Sequence, residues 1–466
     1  MTRGFLIALG LPLALGACAV GPDYAGPPRD AAPVRPIFAR GTAVTSDAPV
    51  LARWWDALGD ARLGALVDDA LAHSPSIAEG EAHIREAAAV LRQRQNSGLP
   101  TIAPSVIAAR ADLPPFTAGG QRSNLAIYNV GATASWEPDF WGADRRANET
   151  ARANIQQRQA QLADIQVSLS AQVAQAYVNL RDAQARLALL DQLGAVRRRE
   201  LALMQQRQAA GTASAQDTAR TEGDLQTALA QAAPVTAQIE VALNQLAILT
   251  GKAPGDLDAL LRATTPLPSV PAQVAIGDPA ALIARRPDIR AAERALAGST
   301  AQIGATKAQL LPRLSFTGIL GMGSTSLASV VDPATVAAGI LPQLKWSGLD
   351  WGKGRAMVRQ SQAQRDASEA QYRRIVLAAL EDAESSLSRF GAARVRLAHL
   401  DAGDAAARYS ATLGAERVAA GTSSGLEQLE REAARLQTSI ASVQGKTELV
   451  ADYIAIAKAL GLGWQG

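Results

Sequence analysis

The stretch Gly421-Thr422-Ser423-Ser424-Gly425 has the G-x-S-x-G spacing of a nucleophile elbow, the strained turn that exposes a catalytic serine. An elbow follows a strand and needs a histidine further along the chain. Here a helical pattern precedes the turn, and no histidine follows Ser423. His73 and His83 are ten residues apart, whereas two metal ligands on one helix face need a spacing of three or four. With His399 they are the only histidines, and they read as surface residues. One cysteine, Cys18, excludes an internal disulfide framework and a multi-cysteine zinc site. The residues therefore describe a protein that is not an enzyme and holds neither cofactor nor metal.

Cys18 offers chemistry of another kind. Arg3 is a short basic segment, Phe5 to Leu15 is apolar, and Leu15-Gly16-Ala17 leads into the cysteine. Small residues at this place let a signal peptidase draw an extended chain into its site. The pattern resembles a bacterial lipobox, in which Cys18 is diacylated and becomes the first residue. An ordinary signal peptide with a bystander cysteine is the alternative. Ala19 follows the cysteine in place of Asp, which by resemblance to bacterial lipoproteins favours sorting to the outer membrane. This gives a lipoprotein signal peptide over 1–17. Over 18–50, Pro22, Pro27, Pro28, Pro33, Pro36 and Pro49 describe an extended, lipidated tether.

The elements that follow are long and poor in large rings. Hydrophobic residues make up 48% of the 466, yet aromatics only 4%, so the apolar content is mostly alanine and small aliphatics, suited to close helix packing. A net charge of +3 gives no reason to expect a nucleic-acid partner. After the amino terminus no run of 18 apolar residues marks a membrane-spanning helix.

The chain repeats itself at about 210 residues. Pro75-Ser76-Ile77 with Glu81 returns as Pro287-Asp288-Ile289 with Glu293, and Leu99-Pro100 as Leu311-Pro312. Trp136, Trp141-Gly142 and Arg145 return as Trp346, Trp351-Gly352 and Arg355. Arg186-Leu187-Ala188 returns as Arg396-Leu397-Ala398, and Gly211-Thr212 as Gly421-Thr422. The repeats span 51–266 and 267–466, each with a helix, a strand pair and a long helical hairpin. In the first, Ile155, Leu162, Leu169, Ala176, Ala183 and Leu190 recur every seven residues, with Val173, Leu180 and Leu187 four beyond, as in a coiled-coil seam. The helix between Gly142 and Gly211 is then roughly 100 Å long, which only a structure that must span something requires. Each glycine reads as a helix stop, with the following threonine as the cap of the returning helix. A kink in one longer helix is the alternative.

Between Pro100 and Trp136 the period falls to two. Tyr128, Val130, Ala132, Ala134 and Trp136 alternate with Asn129, Gly131, Thr133, Ser135 and Glu137, a strand whose partner is about Thr101–Asp112. Leu314, Phe316, Gly318 and Leu320, then Ile340, Leu344 and Trp346, repeat this in the second half. Such strands suit an outer-membrane barrel, although a soluble hairpin covering the helix ends fits the same pattern. Four strands cannot close, and an open edge cannot face lipid. Spanning a bilayer therefore demands that several chains pool their strands.

Four stretches resemble the outer-membrane efflux protein family, the TolC-like channels, and within it the lipoprotein NodT/OprM-like branch. They are Cys18-Ala19-Val20-Gly21-Pro22-Asp23-Tyr24; Trp54-Trp55-Asp56 with Leu58 and Asp60; Trp136-Glu137-Pro138-Asp139 with Trp141-Gly142 and Arg145; and Ala284-Arg285-Arg286-Pro287-Asp288-Ile289-Arg290 with Glu293. The resemblance implies an α+β membrane protein, a homotrimer whose four strands and long coiled-coil helices per chain form a 12-stranded β-barrel in the outer membrane and an α-helical barrel across the periplasm. It implies a passive exit duct of a tripartite efflux pump, partnered by a periplasmic adaptor and an inner-membrane RND-type transporter. It places a periplasmic gate at Asp217, Glu427 and Glu430, and adaptor contacts at the tips Gly211, Thr212, Gly421 and Thr422. The family's aromatic three residues before the glycine is replaced by Gln208 and Val418, and its arginine twelve after the second glycine by Ala433. A solvated helix face paired with nearby arginines is the other reading of the three acids. Pro287 and Asp288 read as a helix start, and Trp54-Trp55 as the packing of the tether against the helices. A lipid-anchored periplasmic adaptor is the competing class, but it would carry one helical hairpin where this chain shows two.

Overall fold

The computed structural model of the chain describes residues 19–28, 38–40, 45–46, 52–113, 123–271, 273–275, 283–346 and 350–464. The signal segment 1–17, Cys18 and most of the tether lie outside them.

In chain order the elements are β1 (Thr45–Ser46), a short 3-10 helix (Trp54–Leu58), α1 (Ala61–His73), α2 (Pro75–Ser97), β2 (Thr101–Leu113), β3 (Ser123–Trp136), α3 (Ala143–Ala209), α4 (Ala215–Leu249), α5 (Asp258–Leu261) and β4 (Val274–Ala275). Then follow α6 (Pro287–Ala308), β5 (Arg313–Ser324), β6 (Val336–Lys345), α7 (Lys353–Ala419) and α8 (Gly425–Ala459). Corresponding elements of the two halves match in length: α3 and α7 have 67 residues each, α4 and α8 have 35. Compactness follows different lines. One unit takes in residues up to Pro28 with His83–Arg158 and Ala291–Tyr372, the other Arg29–Ala82, Gln159–Arg290 and Arg373–Gly466, so each draws on both halves.

The first unit holds an antiparallel sheet of order β2-β3-β5-β6. Residues opposite one another share a face, and between Thr101 and Val106 the register separates a mostly apolar face from a mixed one, a division that ends further along, where Arg110 and Asp112 share the first face. Ile102 and Val106 lie opposite Ala134 and Val130, these opposite Gly318 and Met322, and these opposite Ile340 and Val336; Pro104, Ala132, Leu320 and Ala338 line the same face. The other face is mixed: it carries Thr101, Ser105, Gly131, Thr133, Ser135, Ser315, Thr317, Gly321 and Gln343 together with apolar residues such as Ala103, Ile107, Ile127, Ile319 and Leu341. The apolar face is uncovered, with Val106 77% and Ile340 76% exposed. On the other side, a Cβ at Gly131 would meet the Leu320 carbonyl oxygen at 2.5 Å, so only glycine allows this approach of β3 and β5. β2 and β3 run past the expected bounds, to Leu113 and back to Ser123, because the backbone ladder continues (Leu113↔Ser123) after the hydrophobic alternation has ended. Among the described residues nothing pairs with the outer edges of β2 and β6.

The second unit is built around the middle of α3. Leu169, Ala176, Ala183 and Leu190 of the heptad series are buried, while Ile155 and Leu162 are only half-buried. Around positions 173 to 180 burial reaches beyond the seam: Val173, Ala174, Tyr177, Val178 and Leu180 are all fully covered. The 3-10 helix, α1, α4 and α8 surround α3 here, so more than one stripe of it meets a partner. Trp54 and Trp55, each 2% exposed, belong to this core, ring edge against ring face at 5.8 Å, with Tyr453 beside Trp54 at 6.2 Å. They are core residues of the helical unit. α4 continues through Pro234, since Val235, Leu243 and Leu246 beyond it are buried and hold the helix despite the lost N–H.

Both helix pairs are antiparallel hairpins, which removes the single kinked helix as a reading. Arg186 of α3 donates to Gln238 of α4 at 2.7 Å. The seam of this hairpin is apolar, made of Leu190, Leu193 and Val196 against Ala228 and Val235. The seam of α7 and α8 is polar: Ser439 Oγ donates to Asp404 and Ser442 Oγ to Asp401, both at 2.6 Å, and Arg408 Nε binds Asp404 at 2.7 Å. Burial alone would raise the Asp404 carboxyl, but Ser439 and Arg408 outweigh it and hold it below the usual range.

Candidate functional site: the hairpin tips and the amino-terminal strap

Each tip is a short turn closed by a repeated set of backbone hydrogen bonds. Gly211 and Gly421 both sit at φ +71°, the left-handed region that glycine adopts freely. Gly211 N–H donates to Gln208 O and Thr212 N–H to Arg207 O, and the second tip repeats this with Val418 and Arg417. These are the paired bonds of a Schellman ending. Thr212 and Thr422 therefore finish the outgoing helix; their hydroxyls also donate to Arg207 O and Arg417 O, at 3.0 and 3.1 Å. This corrects the expectation that the threonines cap the returning helices. Ser214 and Ser424 cap them, accepting from Asp217 N–H at 3.1 Å and Glu427 N–H at 3.2 Å. A Cβ placed on either tip glycine would find nothing within 4 Å.

The three acids of the expected gate are not joined to each other by any hydrogen bond or ion pair among the described residues. Asp217 completes a capping box, accepting from the Ser214 hydroxyl at 2.7 Å and its N–H at 3.2 Å. That hydroxyl is the main cause holding the Asp217 carboxyl below its usual range, with the backbone donor next and Arg220 and Arg207 assisting. Glu427 accepts from the Ser423 hydroxyl, the main cause of its own lowered pKa, and lies 3.5 Å from Arg431 Nη2. Glu430 is exposed on α8. The S-x-x-D and S-x-x-E spacings of Ser214–Asp217 and Ser424–Glu427 were the available signal for these caps.

Ser423, the serine of the elbow-like motif, thus spends its hydroxyl on Glu427 in a turn between two helices. His73 Nδ1 lies 2.9 Å from Asp69 Oδ1, and His83 Nδ1 3.1 Å from Glu86 Oε2, each within its own helix. No group of three or more potential metal ligands occurs among the described residues.

The segment after Cys18 forms a strap on the first unit. Val20 N–H donates to Trp141 O at 3.2 Å. Arg146, 5% exposed, donates to Asp23 at 2.7 Å and to Glu149 at 2.8 Å. Tyr24 OH reaches Glu293 at 3.2 Å, under the Arg294 guanidinium; burial, then the Glu293 carboxylate, pushes this phenol up. Two glycines make the fit possible. A Cβ on Gly142, at φ +77°, would stand 2.7 Å from Ala19 Cβ, and one on Gly304 would stand 2.7 Å from Val20 O. Nearby, Trp141 Nε1 donates to Pro312 O at 2.7 Å, and Trp136 stacks on Phe316 at 6.1 Å. Sequence reading placed Ala19 to Tyr24 in a tether; the Asp23–Arg146 and Tyr24–Glu293 pairs, separated by 123 and 269 positions, left no local trace.

The outer membrane efflux protein profile matches the chain twice, over residues 66–252 and 279–462. The chain belongs to the outer membrane efflux protein family. OprJ, an outer membrane protein of Pseudomonas aeruginosa, is 30% identical over 460 residues, covering 98% of this chain and 95% of its own. The toluene efflux pump outer membrane protein TtgI of Pseudomonas putida is 27% identical over 463 residues, 97% of either chain. The solved outer-membrane channel OprN shares 32% identity and a TM-score of 0.86, over 96% of this chain and 100% of that one. As an outer membrane efflux protein with the fold of these channels, the chain is the outer-membrane channel component of an efflux pump.

Proposed function

We propose that three copies pool their sheets into a 12-stranded barrel and their helices into a duct, forming the passive exit channel of a tripartite efflux pump. The observation that carries this is the sheet itself: around Ile102, Val106, Val130 and Ile340 one face is apolar and exposed, the opposite face there is richer in Ser, Thr and Gly, and both edges are unpaired among the described residues. In lipid every strand edge needs a partner, and β6 of one copy supplies it to β2 of the next. The relatives support the same reading by name, since TtgI is a component of a toluene efflux pump. The chain then carries cargo without transforming it. The tips Gly211, Thr212, Gly421 and Thr422 meet a periplasmic adaptor, and an inner-membrane transporter of the RND type loads the duct. Residues 51–266 and 267–466 are tandem copies of one ancestral half, a reading supported by the paired 67- and 35-residue helices.

Mass measurement in mild detergent should give three chains, and the particle should conduct in a planar bilayer; a monomer that conducts would overturn the proposal. Asp217, Glu427 and Glu430 hold the closed periplasmic end in this reading, so their triple alanine variant should raise single-channel conductance. Unchanged conductance would leave Asp217 as part of a capping box and Glu427 as the acceptor of the Ser423 hydroxyl, with no gating role.

Cys18 carries the lipid in this proposal. The strap supports it by fixing Ala19 and Val20 beside Trp141 and Gly142, near the Trp136–Phe316 end of the sheet, where interfacial aromatics belong. Cys18→Ser should abolish labelling by radioactive palmitate, and persistent labelling would sink the assignment.

A further inference from the structure

Arg181 of α3 is fully buried, at 0% exposure, and has no carboxylate partner among the described residues. Its Nη1 is well used, donating to Gln184 Oε1 at 2.7 Å, Ala263 O at 2.8 Å and Leu261 O at 3.1 Å. The other edge of the guanidinium is not: Nε and Nη2 are buried and meet no acceptor. The Tyr177 ring covers one face, 4.7 Å from the guanidinium carbon. Tyr177 OH donates to Asp60 at 2.7 Å, so the phenol that covers this cation is itself tied to a carboxylate. Burial, then the hydrogen bond to Asp60, raises the Tyr177 phenol, while Arg181 and Thr265 lower it by directing N–H and O–H donors towards the phenol oxygen, with Arg181 Nε and Nη2 and the Thr265 hydroxyl each beyond direct hydrogen-bond distance. The Thr265 hydroxyl oxygen is itself buried and without a partner.

A buried, unneutralised guanidinium with idle N–H groups is strongly unfavourable. The idle edge is the Nε–Nη2 edge, the one arginine uses to hold a carboxylate or a halide through two parallel N–H bonds. Thr265 adds a hydroxyl that can donate to the same acceptor. We propose that Arg181 and Thr265 form a buried site for one small monovalent anion, of which chloride is the simplest, accepting from Nε, Nη2 and the Thr265 hydroxyl. The anion neutralises the guanidinium and ties α3 to the carbonyl-rich segment from Leu261 to Thr265. It makes the stability of the helical unit depend on an ion and has no part in carrying cargo.

Thermal unfolding of the full chain in detergent tests this, in chloride against gluconate at equal ionic strength. A saturable rise in Tm of a few degrees is expected in chloride. The rise should vanish in Arg181→Met and shrink in Thr265→Val, which answers the question by itself if the methionine variant does not fold. Crystals grown in bromide should show an anomalous peak at hydrogen-bond range of Arg181 Nε and Nη2. Equal Tm in both salts, or ordered water at the guanidinium edge with no bromide signal, overturns the proposal.

Discussion

Replacing both tip glycines with tryptophan should abolish efflux in cells while the trimer assembles normally. Gly211 and Gly421 adopt φ +71°, so tryptophan there pays backbone strain of about 1–2 kcal/mol. No atom lies within 4 Å of a Cβ built at either position, so the new side chain meets no steric barrier inside the chain. It projects outward, into whatever approaches the tip. Asparagine separates the two effects, because it tolerates the left-handed conformation and remains small. Gly211→Asn with Gly421→Asn should keep most of the efflux, measured as drug tolerance, and the tryptophan pair should reduce it to the level of a strain without the channel. Full activity of the tryptophan pair would mean that the adaptor docks elsewhere.

Ala132→Arg should prevent accumulation of the assembled protein in the outer membrane, whereas Thr133→Arg should leave assembly intact and lower conductance. The two positions are neighbours on β3, but the register puts Ala132 opposite Leu320 and Pro104 on the apolar face, and Thr133 opposite Ile319 and Ala103 on the other. An arginine facing the middle of a bilayer costs about 2–4 kcal/mol per copy, and a trimer incurs it three times. On the lumen side the same arginine stays hydrated and adds three positive charges to the pore. Equal effects of the two substitutions on membrane yield would mean that the sheet does not divide lipid from water.

Most of the fold was legible because it rests on periodicity. The 67-residue length of α3 follows from two glycines and a proline-free interval, and the strand pairs from alternation. What escaped was either local chemistry misassigned or contact over long separations. Thr212 follows a helix-stopping glycine and so invites the role of a cap, yet its N–H is needed to close the Schellman turn, leaving Ser214 to start α4. The burial of Arg181 and the Asp404–Ser439 pair leave no periodic signature, since an arginine, an aspartate and a serine read as solvent-facing until a partner helix is placed. At the expected gate, sequence position identified one acid that completes a capping box, Asp217, one that accepts from Ser423, Glu427, and one that is exposed, Glu430, because a single chain contains only their partners within one hairpin.

The open edges of β2 and β6 bear on how such a protein is made. No chain can satisfy its own sheet, so closure is a meeting of three bodies, and its rate falls steeply as the chains are diluted. A monomer in transit also exposes Val106, Ile340 and Leu344 to water, a surface that invites the wrong partners. Confining the chains to a plane changes both problems. The acyl chain proposed at Cys18, followed at once by the strap from Ala19, would convert a search through volume into one across a surface and raise the effective concentration of each edge for the next. The anchor then acts mainly on the kinetics of assembly, and its removal should slow trimer formation most where expression is lowest.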